Sequence, residues 1–180
     1  MDKAAKMAGQ MITHIRRQVD GDTADIARLM CATFGAERTD RSVWHLRFGP
    51  AVEELCFIAE LNGQAVASLR FWEVLVAGRR QLLLGPLAVD PQLQGKGVGK
   101  SLVRAGLSHA ERLKSWDIVF VSGDHDYYPR FGFQLAPAKR FIWPGALEQG
   151  RLHLLELSKE GEATLPVGPI ALLACQLPSA

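Results

Sequence analysis

The sequence has few cysteines and no long hydrophobic run, and each shortage excludes a class of protein. Its three cysteines, Cys31, Cys56 and Cys175, are odd in number and lie far apart in apolar surroundings. Such spacing favours buried, reduced thiols over a disulfide framework or a metal site, so we expect a cytoplasmic protein without a bound metal. The longest unbroken apolar run, residues 170–175, is far below the ~20 residues that cross a bilayer, which argues against a membrane span.

The sequence also has little excess of either positive or negative charge. Lysine and arginine total 21 against 19 aspartates and glutamates, a net charge of +2, which gives little reason to expect nucleic acid as a partner. A small anionic ligand remains compatible with this balance. Residues 1–11 lack the continuous apolar segment of a secretory signal, and we expect them to form a flexible leader.

Length and composition predict one globular domain. Hydrophobic residues make up 48% and charged residues 22% of the 180 residues, as in ordinary globular proteins, and no internal repeat suggests a solenoid. We assign residues 12–160 to a single domain and residues 161–180 to a C-terminal extension whose structure the pattern does not predict. A homodimer stays open.

The first part of the chain predicts a strand, two helices and a hairpin. Apolar spacing indicates a strand over residues 12–19, a helix over residues 22–35 and a short helix over residues 40–48. The pair Asn62 and Gly63 stands between two apolar segments and suits the positive dihedral angles of a two-residue hairpin turn.

The most apolar strand is predicted over residues 81–89, and it should be central and buried on both faces. Pro86 within it cannot donate a ladder hydrogen bond, so pairing must break or a bulge must form there, which opens the sheet. An amphipathic helix over residues 97–116 follows, and a right-handed crossover then leads to a short strand over residues 118–121. Residues 151–157 alternate like a further strand.

Three glycines at alternate positions, Gly95, Gly97 and Gly99, stand between the buried strand and the long helix, beside Lys96 and Lys100. Glycines let successive backbone N–H groups approach an anion at the positive end of the helix dipole, so this loop is expected to bind phosphate. The Walker A and Rossmann patterns each need a glycine at a position where this sequence has another residue.

The motif Gln94-x-x-Gly97-x-Gly99 resembles the pyrophosphate loop of the GNAT acetyltransferase superfamily. Residues 127–133, Tyr-Tyr-Pro-Arg-Phe-Gly-Phe, resemble the second signature of that superfamily, and the segment 85–133 is similar to the bacterial predicted N-acetyltransferases of the YhbS type. The resemblance implies an α/β (mixed α+β) fold with a central mixed sheet, splayed at the acyl-CoA site, and helices on both faces.

The resemblance also implies a cofactor and its contacts. Acetyl-CoA, as the acyl donor, would lie in a V-shaped opening between the strand that ends at Asp90 and the strand that ends at Ser122. The end of the first strand would pair with the pantetheine arm, and the backbone N–H groups of the loop would hold the diphosphate. The residues so assigned are Leu87, Ala88, Val89, Gln94, Gly95, Lys96, Gly97, Val98, Gly99 and Lys100.

Tyr128 stands four residues before Gly132, where the superfamily places its general acid. A phenol with a pKa near ~10 stays protonated at neutral pH and can protonate a departing thiolate. Because neighbouring side chains point in different directions, the motif register selects Tyr128 over Tyr127. The alternative is that Tyr128 only packs.

No general base is assigned, because the strand over residues 82–89 has no carboxylate where some relatives carry a glutamate. Side chains that could accept the amine proton, with a water chain as the other choice, are His45, Glu73, Asp124, His125, Asp126 and His153. Aromatic residues that could either line an acceptor pocket or pack in the core are Trp44, Phe48, Trp72 and Trp143.

These motifs predict an N-acetyltransferase, an acyltransferase that moves acetyl from acetyl-CoA to an unidentified amine on a small molecule or a protein. Two alternatives stay open. A non-catalytic acyl-CoA-binding sensor is motivated by the missing strand carboxylate, and a nucleotide-binding protein is motivated by the run Gly99-Lys100-Ser101.

Overall fold

The computed structural model describes residues 14–175. The predicted leader, residues 1–11, and the beginning of the first predicted strand therefore lie outside the described residues. The two α-helices are α1 (Thr23–Phe34) and α2 (Val98–Leu113). The strands are β1 (His14–Arg17), β2 (Phe57–Leu61), β3 (Gln64–Val76), β4 (Arg79–Val89), β5 (Ile118–Ser122), β6 (Gln134–Leu135), β7 (Phe141–Ile142), β8 (Leu152–Glu156) and β9 (Ile170–Ala174).

The strands form one mixed sheet. The main path runs β1-β2-β3-β4-β5-β8-β6, and β9 pairs with both β3 and β7. Strands β4 and β5 are parallel and are joined through α2, whereas their neighbours on the main path pair antiparallel. The predicted mixed α/β fold is confirmed.

The predicted hairpin is present between β2 and β3. Asn62 and Gly63 both have positive φ, +52° and +77°, as a two-residue turn of this kind needs. A similar pair, Ala77 and Gly78, turns the chain from β3 into β4. Local turn chemistry therefore sets the register of three consecutive strands.

One predicted helix takes a different form. The helix predicted over residues 40–48 is replaced by two short 3-10 segments, Ala36–Asp40 and Ser42–Leu46. A stretch this short before Gly49 and Pro50 leaves too few residues to offset the cost of starting an α-helix.

The two helices cover opposite faces of the sheet. Helix α2 packs through Leu102 and Val103 into a core that includes Leu69 and Leu82. Helix α1 packs on the other face through residues such as Leu29. That second face also carries a cluster of buried side chains from the later part of the chain: Phe141, Trp143, Leu154, Leu165, Ile170 and Leu172.

The cysteine expectation is partly wrong. All three are free thiols, and Cys56 and Cys175 are buried, but Cys31 is exposed. Cys31 follows the buried pair Leu29 and Met30 on α1, and the next residue of a helix turns about 100° away from the buried stripe. Within residues 14–175, no helix combines the length and the apolar character that crossing a membrane requires.

Candidate active site

The sheet opens between β4 and β5. The two strands pair only at Leu82 with Val119 and at Leu83 with Phe120, although β4 continues to Val89 and β5 to Ser122. Beyond the second pair the parallel strands separate. The expected opening is therefore present between the carboxyl ends of these two strands.

A bulge in β4 accompanies the separation. On the antiparallel side, Leu69 of β3 pairs with Leu87 and Phe71 with Leu84, so β4 carries one extra residue there. Before the bulge Leu84 faces the core under α2, and after it Leu87 and Val89 face that core. The proline-induced irregularity that the sequence predicts thus turns Leu87 toward the cleft.

The glycine loop lines a cavity of about 720 Å³. The first hydrogen bond of α2 runs from the Ser101 N–H to the Gly97 carbonyl, so the N–H groups of the preceding helical residues have no partner in the helix ladder. Lys96, Lys100 and Arg130 are its cationic lining residues, and no carboxylate is among the described residues that line it. This arrangement suits an anionic ligand.

Gly99 stands at a position where a side chain would collide with neighbouring residues. A Cβ atom at this position would lie 3.0 Å from the Tyr127 hydroxyl and 3.2 Å from Val89 Cγ2. Gly97 begins the helix with a left-handed φ of +90°, which other residues adopt at a cost. Both glycines therefore serve the shape of the backbone cradle, as an acyl-CoA diphosphate would require.

Most residues that the sequence assigns to the donor site line this cavity: Leu87, Val89, Gln94, Gly95, Lys96, Gly97, Gly99 and Lys100. The side chains of Ala88 and Val98 instead lie in the two cores on either face of the sheet, which leaves only their backbone for a ligand. Gln94 uses its side-chain amide to donate to the Val89 carbonyl at 3.2 Å, so it also anchors the loop on β4.

Four further residues line the donor cavity and were missed in the sequence: Thr33, Leu93, Tyr127 and Arg130. Arg130 lies inside the tyrosine signature, and its guanidinium stacks 4.9 Å from the centre of the Tyr127 ring. Its positive charge and its position within the tyrosine signature could have identified it in the sequence as a residue of an anion site.

A second cavity of about 210 Å³ adjoins the first. Leu87 and Tyr127 line both cavities, so the two spaces meet at these side chains. The second cavity is lined by Phe34, Arg41, Val43, Trp44, Arg47, Leu84, Gly85, Pro86, Leu87, Ser122, Gly123, Asp124, Tyr127, Tyr128 and Arg151.

Tyr128 lies in the wall of the second cavity, at the beginning of a short 3-10 segment. Its ring packs so closely on Gly123 that a Cβ there would lie 2.0 Å from Tyr128 Cε2. Burial raises the pKa of the Tyr128 hydroxyl well above its ordinary value, so the group is a fully protonated phenol at neutral pH. Burial also raises the pKa of Tyr127, and both tyrosines line the second cavity, contrary to the expectation that only one faces the site.

The structure separates the residues left open as the general base. Glu73 lies elsewhere, where it accepts hydrogen bonds from Trp116 and Arg80. Among the described residues that line the second cavity, Asp124 is the one carboxylate. Its neighbours His125 and Asp126 are exposed, and His125 Nε2 lies 3.2 Å from Asp126 Oδ1.

The candidate aromatic residues are likewise divided. Trp44 lines the second cavity, whereas Phe48 lines a separate depression. Trp72 and Trp143 pack against the core on the α1 face. Two histidines remain among the candidates for the general base. His45 lies outside the second cavity, and His153 is buried with Nδ1 3.1 Å from the Arg151 carbonyl oxygen.

Comparison with known proteins agrees with this geometry. Residues 53–135 match the model of the acetyltransferase (GNAT) domain. The uncharacterized N-acetyltransferase YjhQ of Escherichia coli is 36% identical over 118 residues, which cover 63% of this chain and 65% of YjhQ. The match thus spans somewhat less than two thirds of that relative.

The uncharacterized N-acetyltransferase YhbS of E. coli is 30% identical over 145 residues, covering 78% of this chain and 86% of YhbS. The solved structure of YhbS in complex with CoA superimposes with a TM-score of 0.74 at 26% identity, over 89% of each chain. A GNAT acetyltransferase from Brucella melitensis, solved with acetyl-CoA, gives a TM-score of 0.65 at 27% identity, over 89% of this chain and 96% of that one.

Proposed function

This chain belongs to the GNAT acetyltransferase family, and from that premise we propose that it is an acyl-CoA-dependent N-acetyltransferase that moves acetyl from acetyl-CoA to an amine. The observation that carries the proposal is the junction of two cavities at Leu87 and Tyr127. One cavity is built for an anion around the glycine loop, and the other holds the buried phenol of Tyr128. A thioester presented at the junction would meet an amine that enters from the second cavity.

Donor binding relies on backbone and cations together. The backbone N–H groups of the loop from Gly95 to Lys100 would hold the diphosphate, because this loop lines the donor cavity at the positive end of α2. The Lys96 N–H contributes least, since it donates to the Leu93 carbonyl at 3.3 Å. Lys96, Lys100 and Arg130 would add longer-range attraction that salt can screen. The YhbS and Brucella structures are complexes with CoA and with acetyl-CoA, respectively, which supports acetyl-CoA as the donor here.

Acetyl-CoA supplies an acyl group already activated as a thioester. In the proposed reaction the acceptor nitrogen forms a bond to the acyl carbon, and the carbon–sulfur bond breaks. The Tyr128 hydroxyl gives its proton to the departing thiolate. Asp124, the carboxylate on the cavity wall, accepts the proton that the amine loses. Return of this proton through water to the Tyr128 phenolate restores both groups, so the proton count balances over one turnover.

Calorimetric titration with acetyl-CoA, CoA and ATP tests the donor assignment. We expect acetyl-CoA and CoA to bind and ATP to bind far more weakly, because the donor cavity extends from the glycine loop to Leu87 and Val89 of β4, where a pantetheine arm can pack and ATP has no equivalent group. Binding of ATP without binding of CoA would contradict the proposal and favour the nucleotide-binding alternative. Thiol release across a panel of amines then separates an enzyme from a sensor, which would bind acetyl-CoA without turnover.

A further inference from the structure

The second cavity carries positive charge that the donor does not use. Of the residues that the structure describes, three arginines line it, Arg41, Arg47 and Arg151, against one carboxylate, Asp124. Arg151 has a loose ion pair with Glu148, at 3.6 Å. The donor diphosphate belongs to the other cavity, so these charges face the space left for the acceptor.

Arg47 has few polar partners that could offset the burial of its charge. Its Nε atom is buried without a hydrogen-bond partner, and among the described residues no carboxylate pairs with its guanidinium. The contact it does make is with an aromatic ring, since its Cζ lies 4.7 Å from the centre of the Trp44 ring. Burial lowers the pKa of Arg47 to about 10, which still leaves the group charged at neutral pH. Buried charges and buried N–H groups of this kind normally have partners.

The guanidinium lies at the opening of the sheet. Its Nη2 atom is 2.9 Å from the position that a Cβ on Gly85 would occupy, and Gly85 belongs to the bulge that precedes Leu87. Arg47 therefore presents its planar group beside the place where the two cavities meet. Tyr128 lines the same small cavity.

We propose that Arg47 binds a carboxylate on the acceptor, and that the acceptor is a free amino acid, whose amine and carboxylate are a few bonds apart. A guanidinium packed over the Trp44 ring offers a planar fork, and a carboxylate matches that fork with two parallel hydrogen bonds. The cavity of about 210 Å³ is smaller than the roughly 300–1,000 Å³ of sites for drug-sized ligands. It has room for a small molecule rather than for a folded segment of a protein.

The inference rests on the proposed N-acetyltransferase function and names its acceptor class. With the carboxylate on Arg47, an amine a few bonds away points to the junction at Leu87 and Tyr127. Arg41 and Arg151, which line the same cavity, add a positive field that favours an acid over its neutral analogue. Burying the guanidinium against Trp44 without a carboxylate is unfavourable, so the acceptor supplies the missing partner.

The test compares amino acids with their primary amides. The full-length protein is given saturating acetyl-CoA and each of the common L-amino acids, or the amide of each, and free thiol is measured. We expect at least one amino acid to exceed its amide in kcat/KM by roughly 10–100-fold, the range for a charged hydrogen-bonded pair. Arg47→Gln should remove that preference mainly by raising KM, and Arg47→Lys should restore part of it.

A structural role for Arg47 predicts a different pattern. It would lower turnover of acids and amides equally, together with the melting temperature, and would overturn the inference. The matched control is Arg104→Gln, which removes an exposed arginine from α2 and should change neither preference. Equal use of amides, or a protein that binds acetyl-CoA and acetylates only amines without a carboxylate, would also overturn it. Absence of acetyl-CoA binding would overturn the proposed function itself, so the two failures are distinguishable.

Discussion

Tyr128, the proposed general acid, is held in place by close packing of its ring. Its ring lies directly on Gly123, in edge contact with Phe133 at a centroid distance of 5.6 Å. No hydrogen bond occupies its hydroxyl among the described residues, although the residue is buried. A protonated and unpartnered phenol on the cavity wall is available to a thiolate, which is the property that the general-acid proposal needs.

Replacing Tyr128 by Phe deletes that hydroxyl and keeps the ring that packs on Gly123. If the hydroxyl protonates the thiolate, acetyl-CoA affinity should change little while kcat falls by roughly 10²–10⁴-fold, the usual contribution of a positioned general acid. Calorimetry and steady-state kinetics on the same preparation measure the two quantities. A joint loss of kcat, CoA affinity and melting temperature would instead show that Tyr128 is structural.

Tyr127→Phe is the matched control, because it makes the same chemical change one residue away. The sequence-based expectation is that turnover stays nearly intact. The structure makes this control more demanding, since Tyr127 lines both cavities and lies over Gly99. A large fall in kcat for Tyr127→Phe with none for Tyr128→Phe would transfer the acid role to Tyr127.

Asp22 illustrates a residue whose role is structural. Its carboxylate accepts two hydrogen bonds of 2.8 Å from the Arg16 guanidinium and one of 2.8 Å from the Val19 N–H. The hydrogen bonds from Arg16 hold the pKa of Asp22 below its ordinary value. A lowered folded-state pKa stabilises the protein above the unfolded-state pKa of ~3.9, and this stabilisation is lost as the pH falls through the folded-state value.

Asp22→Asn should therefore lower the free energy of unfolding by about 1–3 kcal/mol at pH 7 and by progressively less below about pH 4. Urea unfolding across this pH range measures the effect. Asp25→Asn is the control, since this carboxylate is half exposed in a surface pair with Arg28 and should cost under about 1 kcal/mol. A loss for Asp22→Asn that is constant with pH would contradict the assigned cause.

At the scale of elements, the segment from β4 through the glycine loop to α2 forms the proposed donor site. The bulge reverses which side chains of β4 face the cleft, and Gly97 begins α2 with a left-handed φ beside the donor cavity. Two local irregularities thus convert a buried strand and a regular helix into a binding surface.

Gly97→Val should abolish measurable acetyl-CoA binding while the protein stays folded. The matched control is Gly78→Val in the hairpin turn, because Gly78 has a similar φ of +76° and open space around it. Both changes impose comparable backbone strain, but only Gly97 faces the donor cavity. Similar melting temperatures with a loss of binding in the first variant alone are expected by thermal denaturation and calorimetry. Unchanged affinity for folded Gly97→Val would place the diphosphate elsewhere.

At the scale of the whole molecule, the end of the chain completes the core. Strand β9 pairs with residues 74–76 of β3, and Leu172 lies in the same cluster as Phe120 of β5. The described part of the segment that the sequence left as an extension of undetermined structure, residues 161–175, is therefore packed against the central sheet through β9.

Leu172→Ala should lower the free energy of unfolding by about 2–5 kcal/mol, as other buried leucine truncations do. Leu173→Ala is the control one position along β9, where the side chain is 56% exposed against 1% for Leu172, and it should stay within about 0.5 kcal/mol. Urea unfolding followed by circular dichroism compares them. Equal effects of the two truncations would mean that β9 is not docked as described.

The sequence by itself determined the elements whose signals are local. The Asn62-Gly63 turn, the apolar stripe of α1, the bulge at Pro86 and the glycine loop each depend on residues close together in the chain, so spacing and backbone chemistry predict them. The proposed donor site also rests on such a loop, because the contacts expected there come mainly from backbone N–H groups that any sequence with those glycines would present.

Only the tertiary structure decided which distant side chains meet there. The approach of Tyr127 to Gly99, and of Arg47 to Gly85, joins residues that no periodic pattern relates. The pairing of β9 with β3 is equally remote in sequence. Such contacts form because packing buries apolar surface across the whole sheet. For this physical reason the second cavity, unlike the glycine loop, could not be derived from the order of the residues.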